Sequence, residues 1–394
     1  MPIIGLRNLL KQIEQPIRIR DALKRTSVIG LDAMKPLVDC VQVQEIFLEL
    51  KSGRKEKAET FLSRFIRSIH KHGYMVVVVF PGRPLPSINF GENLKAQAGQ
   101  SDKPFSFKTD IMQAFVTVMD AMGVPYMVSP YEQCAQLKYL SEIGLIDYVM
   151  TDNSDAIGYL CEKTLMDYNP ESEDGVAILY DCSKFLVLNE STAPAPLLKV
   201  LRKFGLKSLP LYCALQGCEY VQVKGFGPKK AIQMFIYFWH LEDMPDPNVL
   251  VKRMKVSRDT EKLVVAGYNI FTSQIIYDPI LHKCRSLKSV VGNPTWYEQS
   301  KVDSDDLPSY CGLYLDTKAL QEYNHLQPKH FLVPPEEHEE VVTQPLKREA
   351  TVTGKLQPPE KGQRADTIAY KYTAMTSTYY NRLHAMHTKA SFFV

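Results

Sequence analysis

Seven consecutive apolar residues, Tyr74-Met75-Val76-Val77-Val78-Val79-Phe80, constrain the fold more than any other feature of this chain. A bilayer span needs about 20 apolar residues, so the run is too short to cross a membrane. A strand with one wet face would alternate apolar and polar side chains, and this one does not. It reads as a central strand covered on both faces, a position reached by alternating strands with crossover helices in a parallel sheet. The neighbouring sequence alternates in that way. Residues 27–33 (SVIGLDA) predict a strand, and 57–73 (KAETFLSRFIRSIHKHG) an amphipathic helix closed by a glycine. Residues 108–123 predict a second helix, 124–129 a short strand, 131–144 a third helix and 146–150 another strand. The expected fold class is α/β, a central and mainly parallel sheet flanked by helices.

The carboxyl ends of such strands fall on one edge, where open α/β sheets place their ligand crevice. Acids gather there: Asp32 after VIGL, Glu132 after MVSP, and Asp152 and Asp155 after YVM. The knot Thr151-Asp152-Asn153-Ser154-Asp155 reads in two ways. Its side chains can cap the helix that starts near Ala156, or its carboxylates can hold a hard cation.

A different element invites an anion. Within 215–235, Gly225-Phe226-Gly227-Pro228-Lys229-Lys230 opens a helix. The glycines permit a tight turn and close backbone approach, the proline suits a first helical turn, and the helix N-terminus favours negative charge. Gly225, Gly227, Lys229 and Lys230 therefore predict a helix-hairpin-helix over 212–236 that grips a DNA backbone rather than reading bases. Composition permits this without arguing for it, since 47 basic residues nearly cancel 44 acidic ones and leave a net charge of +3.

The eight cysteines form no CxxC pair and no secretory apolar segment follows Met1, so reduced thiols and an intracellular, non-secreted protein are expected. Cys213 and Cys218 read as core rather than as a metal pair, and His70 and His72 as residues at a helix C-terminus, where a cation is favourable. Along the chain, 1–105 and 106–240 form the two parts of the α/β region, 241–329 a helical extension, and 330–394 a Pro- and charge-rich tail with a disordered composition. The terminal SFFV is either a docking peptide for a protein partner or a packed end.

Six ordered motifs carry a resemblance: GLRNLL at Gly5, VIGLDA around Asp32, VVFPGRPLPS from Val78, GVPYMVSPYEQCAQLKYL from Gly123, MTDNSDAIGY and GCEYVQVKGFGPKKA. They resemble the flap endonuclease and XPG (RAD2) superfamily of structure-specific 5′ nucleases, a PIN-like fold. SPYEQCAQL, FTSQIIYDPILHKCRSL and LPSYCGLYLD are most similar to its exonuclease-1-like branch. The resemblance implies DNA with 5′ ends, flaps or gaps as partner, a nuclear location, and a carboxylate cluster holding two Mg²⁺ or Mn²⁺ ions that activate water.

Carried over position by position, Asp32, Glu132 and Asp155 are retained, and Glu219 replaces an aspartate. Pro81, Cys134 and Asn153 stand where the family has acids; Asp152 is a further candidate ligand beside them, and Asn153 can still coordinate through its uncharged amide oxygen. Pro81 has no side-chain oxygen and a thiol is a soft donor, so metal binding is expected to be weakened. Pro2 stands where the family has glycine. Ile88 stands in the place of its first arch lysine, and Lys95 falls where a later arch arginine would. MKPLVD lacks the aromatic and basic complement expected of the wedge. Three readings follow: a DNA-binding member with impaired catalysis, an active divergent 5′–3′ exonuclease or flap endonuclease, and a non-catalytic protein or RNA scaffold.

Overall fold

The computed structural model describes residues 3, 6–82, 106–186, 195–218, 221, 226–279, 283–287 and 312–313. Its strands are β1 (Gln15–Arg18), β2 (Val28–Asp32), β3 (Met75–Phe80), β4 (Tyr126–Val128), β5 (Tyr148–Met150), β6 (Lys163–Met166), β7 (Val176–Asp181), β8 (Ile275–Asp278), β9 (Lys283–Ser286) and β10 (Gly312–Leu313). Eight of them form one sheet in the order β1-β7-β6-β5-β2-β3-β4-β10. The central pairs β5–β2, β2–β3, β3–β4 and β5–β6 are parallel. The flanks are antiparallel: β7 pairs with β6 and β1, and β10 with β4.

Strand β3 is the apolar run, with all six residues buried. Its alternate side chains enter two different cores. Val77 and Val79 pack with the Gln133–Glu142 helix and the C-terminal helices, whereas Val76, Val78 and Phe80 pack with the Glu56–His70 and Ser106–Met122 helices. The two-sided burial inferred from sequence is thus realised as helix layers on both faces. The first of these cores extends from Ile3 to Ile276 and so unites the α/β region with the helices that follow Pro196.

Two expectations need correction. The stretch after residue 241 is not purely helical, because β8 and β9 form an antiparallel hairpin there. His70 does end its helix, but it is half-buried, with both ring nitrogens shielded from solvent. Desolvation lowers its pKa to about 3, so it remains neutral rather than serving as a terminal cation. His72 is lowered too, chiefly by burial. All seven described cysteines are buried and unbridged, Cys213 and Cys218 among them.

One side chain docks the β8–β9 hairpin onto the sheet domain. Gln136, wholly buried, donates from Nε2 to the Tyr277 carbonyl and accepts the Tyr277 N–H at Oε1, both at 2.8 Å. A primary amide has the donor and acceptor of a peptide unit, so Gln136 completes the free side of β8 as another strand would.

Candidate functional site

Parallel pairing brings the ends of β2, β3, β4 and β5 to one edge. Asp32 is the last residue of β2, Pro81 follows β3, the Ser129–Glu132 loop follows β4, and the Thr151–Asp155 knot follows β5. The predicted residues Asp32, Glu132, Asp152, Asn153 and Asp155 therefore meet here, as do Pro81 and Cys134. Glu219, Gly225 and Lys95 lie outside the described residues, as do Pro2, Ile88, the 330–394 tail and the terminal SFFV.

Each acid has local duties. Asp32 is almost fully buried. Its Oδ1 accepts the Met34 N–H at 2.9 Å, opening the Met34–Gln42 helix, and its Oδ2 accepts the Thr151 hydroxyl at 2.7 Å. Burial raises its pKa, against the hydrogen bonds from Thr151, Met34 and Gln133, and the charge of Asp152 adds to the rise. Asn153 turns inward: its Oδ1 accepts the Asp155 N–H at 3.1 Å while its own N–H donates to Thr151 Oγ1 at 3.0 Å. The knot thus caps the short Asp155–Gly158 helix, and it does so through Asn153. Asp155 is fully buried at the first position of that helix.

Asp152 is engaged elsewhere. One oxygen lies 2.7 Å from Lys35 Nζ and the other accepts the Asp167 N–H at 2.8 Å. Asp167 is in turn gripped by both terminal nitrogens of Arg7. Lys35 also contacts Asp39 at 2.8 Å and leaves only 6% of its side chain exposed. MKPLVD therefore contains a buried, ion-paired cation, one that sequence reasoning passed over. Its Lys35–Asp39 spacing of four residues was the available signal.

Cys134 sits in the first turn of the Gln133–Glu142 helix, buried among Asp32, Glu132, Asp155 and Cys161. Burial first, and then these negative neighbours, push its thiol well above the ordinary range, so it stays protonated. Among the described residues, the donors at this edge do not fit a two-ion cluster. Pro81 has no side-chain oxygen, Cys134 presents a neutral thiol, Asn153 Oδ1 is committed to a backbone N–H, and Asp152 is committed to Lys35. Among the described residues no group of three or more His, Cys, Asp or Glu is arranged to hold a metal ion.

Pro81-Gly82 is also tightly held. Gly82 donates its N–H to the Tyr131 carbonyl at 2.7 Å, and a Cβ on it would lie 2.0 Å from the Ser129 oxygen and 2.3 Å from the Pro130 oxygen. Glycine is required here by close backbone approach. Through this contact the end of β3 sets the position of the loop that carries Glu132.

Away from the edge, the Ser208–Gln216 helix ends at Gly217 in the left-handed region, φ 101°, and the Pro228–Tyr237 helix begins after Gly227. Gly227 is extended, φ −168°, so it makes no sharp turn. Its surroundings are open, with no atom within 4 Å of a Cβ built on it. Pro228, Lys229 and Lys230 are exposed, and Lys230 Nζ lies 5.4 Å from the centre of the Phe226 ring. The helix start thus presents backbone N–H groups and two ammonium groups to solvent, an arrangement suited to a phosphate.

A mainly parallel sheet with acids at its carboxyl edge, joined through one core to the helices that follow Pro196, is the architecture that the resemblance to 5′ nucleases implies. Comparison with known proteins gives the following similarities. Residues 123–219 match the XPG I-region family model. Exonuclease 1 of Arabidopsis thaliana is 24% identical over 320 residues, covering 72% of this chain and 40% of that protein. Exonuclease 1 of Xenopus laevis is 21% identical over 318 residues, covering 72% and 40%. Flap endonuclease 1 of Drosophila mojavensis is 25% identical over 273 residues, covering 61% and 66%. Among solved structures, human GEN1 in complex with Holliday junction DNA aligns with a TM-score of 0.49 at 14% identity over 99% of this chain and 98% of that one. The chain is similar to the XPG/RAD2 superfamily, with exonuclease 1 among the relatives it matches. It spans about two fifths of the length of the exonuclease 1 relatives from Arabidopsis and Xenopus. No helix among the described residues is long and apolar enough to cross a membrane.

Proposed function

We propose that this chain is an exonuclease-1-like protein of the cell nucleus that binds duplex DNA with 5′ ends, flaps or gaps during repair or replication, and that its hydrolytic chemistry is impaired. The observation that carries the reading is the state of the acid edge, where Pro81, the protonated Cys134 and the inward-turned Asn153 replace three carboxylates. Asp32, Glu132 and Asp155, with Glu219, remain as a cluster with too few anionic donors for two dications; Mg²⁺ or Mn²⁺ would bind weakly. DNA contact is assigned to Gly225, Gly227, Lys229 and Lys230, with Lys95 as an arch contribution. There the helix start meets a phosphate through N–H groups and the lysines add charge without base readout. The tail from residue 330 is the proposed site for a protein partner.

An active, divergent 5′–3′ exonuclease or flap endonuclease is the second reading, and the convergence of Asp32, Glu132 and Asp155 around Cys134 favours it. The test is the unmodified protein on a 5′-recessed duplex and a 5′ flap in Mg²⁺ and in Mn²⁺, beside an Asp155→Ala control. Binding without cleavage is expected. Metal-dependent cleavage lost in the control establishes the active enzyme instead. For DNA contact, replacing Lys229 and Lys230 by Glu should weaken binding to all sequences and reduce the salt slope by up to about 2. An unchanged slope removes the helix-hairpin-helix from the proposal.

A further inference from the structure

Lys35 occupies a position that ordinary lysine preferences oppose. It stands in the first turn of the Met34–Gln42 helix, where the helix dipole disfavours a cation. Its side chain is 6% exposed, although lysines are almost never buried unless paired. Two carboxylates hold it: Asp39 at 2.8 Å from its own helix and Asp152 at 2.7 Å from the knot after β5. Its ammonium donates to both carboxylates, which offsets the cost of burying the charge. Asp152 adjoins Thr151, whose hydroxyl bonds Asp32, and the Asp152 charge acts on Asp32 directly.

Gathering Asp32, Glu132, Asp152 and Asp155 at one edge builds negative charge that a fold of this kind must neutralise. We propose that the Lys35 ammonium is the resident cation of this edge, a covalently attached substitute for one divalent ion, which makes the fold independent of ambient metal. The inference rests on the reading of the edge as a degenerate metal site and explains how the remaining acids are tolerated there. Lys35 is a positioning residue. It holds Asp152, and with it the knot, against the Met34–Gln42 helix.

The test is thermal unfolding of the full chain in EDTA, in 10 mM MgCl₂ or MnCl₂, and in NaCl of matched ionic strength. For the unmodified protein, Tm should be the same in all of them. Lys35→Met should melt lower in EDTA and recover about 3–5 °C in the divalent salts alone, the gain expected from a site with a millimolar dissociation constant. Lys35→Met/Asp152→Asn, with one acid fewer, should fold without that dependence. A Lys35→Met protein indifferent to metal, an unmodified protein that gains as much as the variant, or a double variant that still needs metal to fold would each overturn the inference. The cleavage assay decides the impaired-nuclease reading separately. A protein that does not cleave but whose Lys35→Met form ignores metal defeats this inference alone.

Discussion

Replacing Gln136 by Leu removes two hydrogen bonds and keeps much of the side chain's volume. Tyr277 is 1% exposed and Gln136 is not exposed at all, so water cannot reach the N–H and C=O groups left behind. Each unpaired buried backbone group costs about 1–3 kcal/mol, which puts the expected loss at about 2–6 kcal/mol. Because Gln136 lies on the helix that also carries Cys134 and follows Glu132, the loss should appear locally as well as globally. Urea unfolding gives the first readout, as a lower midpoint with an unchanged slope. Hydrogen exchange gives the second, as lost protection of the Tyr277 amide. Gln136→Glu separates donor from acceptor: its carboxylate can accept the Tyr277 N–H but cannot donate to the carbonyl, whereas the neutral acid can do both. That variant should therefore gain stability relative to Gln136→Leu as pH falls. A Gln136→Leu protein within about 0.5 kcal/mol of the parent, the range of an ordinary surface substitution, with Tyr277 still protected, would refute the docking role.

Further outcomes can be stated briefly. Gly82→Ala must displace the Ser129 and Pro130 carbonyls, since its Cβ would lie 2.0 and 2.3 Å from them; a loss of about 1–3 kcal/mol in urea unfolding is expected, and a neutral result would mean the loop yields freely. His70 is depressed from 6.5 to about 3 in the fold, so the unfolded chain binds more protons between those values. Its contribution is complete above pH 6.5 and is lost as pH falls toward 3, at about 1.4 kcal/mol per unit. His70→Gln should flatten the acid side of the stability profile, and an unchanged profile would remove His70 as its source.

The parts of the fold that could be read in advance are those where one segment's own pattern decides. The apolar run of β3 and the amphipathic Glu56–His70 helix depend on local periodicity, and their observed bounds differ from the expected ones by only a few residues. Strand β1 is Gln-Pro-Ile-Arg, with Gln15 and Ile17 half-buried and Pro16 and Arg18 exposed, and it is a strand only because β7 lies beside it. Strands β8 and β9 have four residues each, too few for period-two alternation to stand out in a stretch that reads as helical. At the candidate site Asp32, Glu132 and Asp155 were legible because strand ends line one edge. Lys35 was not, because its burial depends on Asp152, which reaches it only through the β2–β5 pairing. The extended backbone of Gly227 was equally hidden, since a GxG pattern does not say which glycine turns.

The antiparallel flank of the sheet also bears on how the chain is made. Strands β2 to β5 pair in parallel with neighbours joined by helical crossovers, so they can assemble as each crossover leaves the ribosome. Strand β1 cannot join them, because Gln15 pairs with Leu179. At synthesis rates of about 5–20 residues per second, the first strand emerges and then waits on the order of ten seconds for its partner. Its proline, which lacks an N–H, and its arginine make it a poor template for pairing with another nascent chain during that wait.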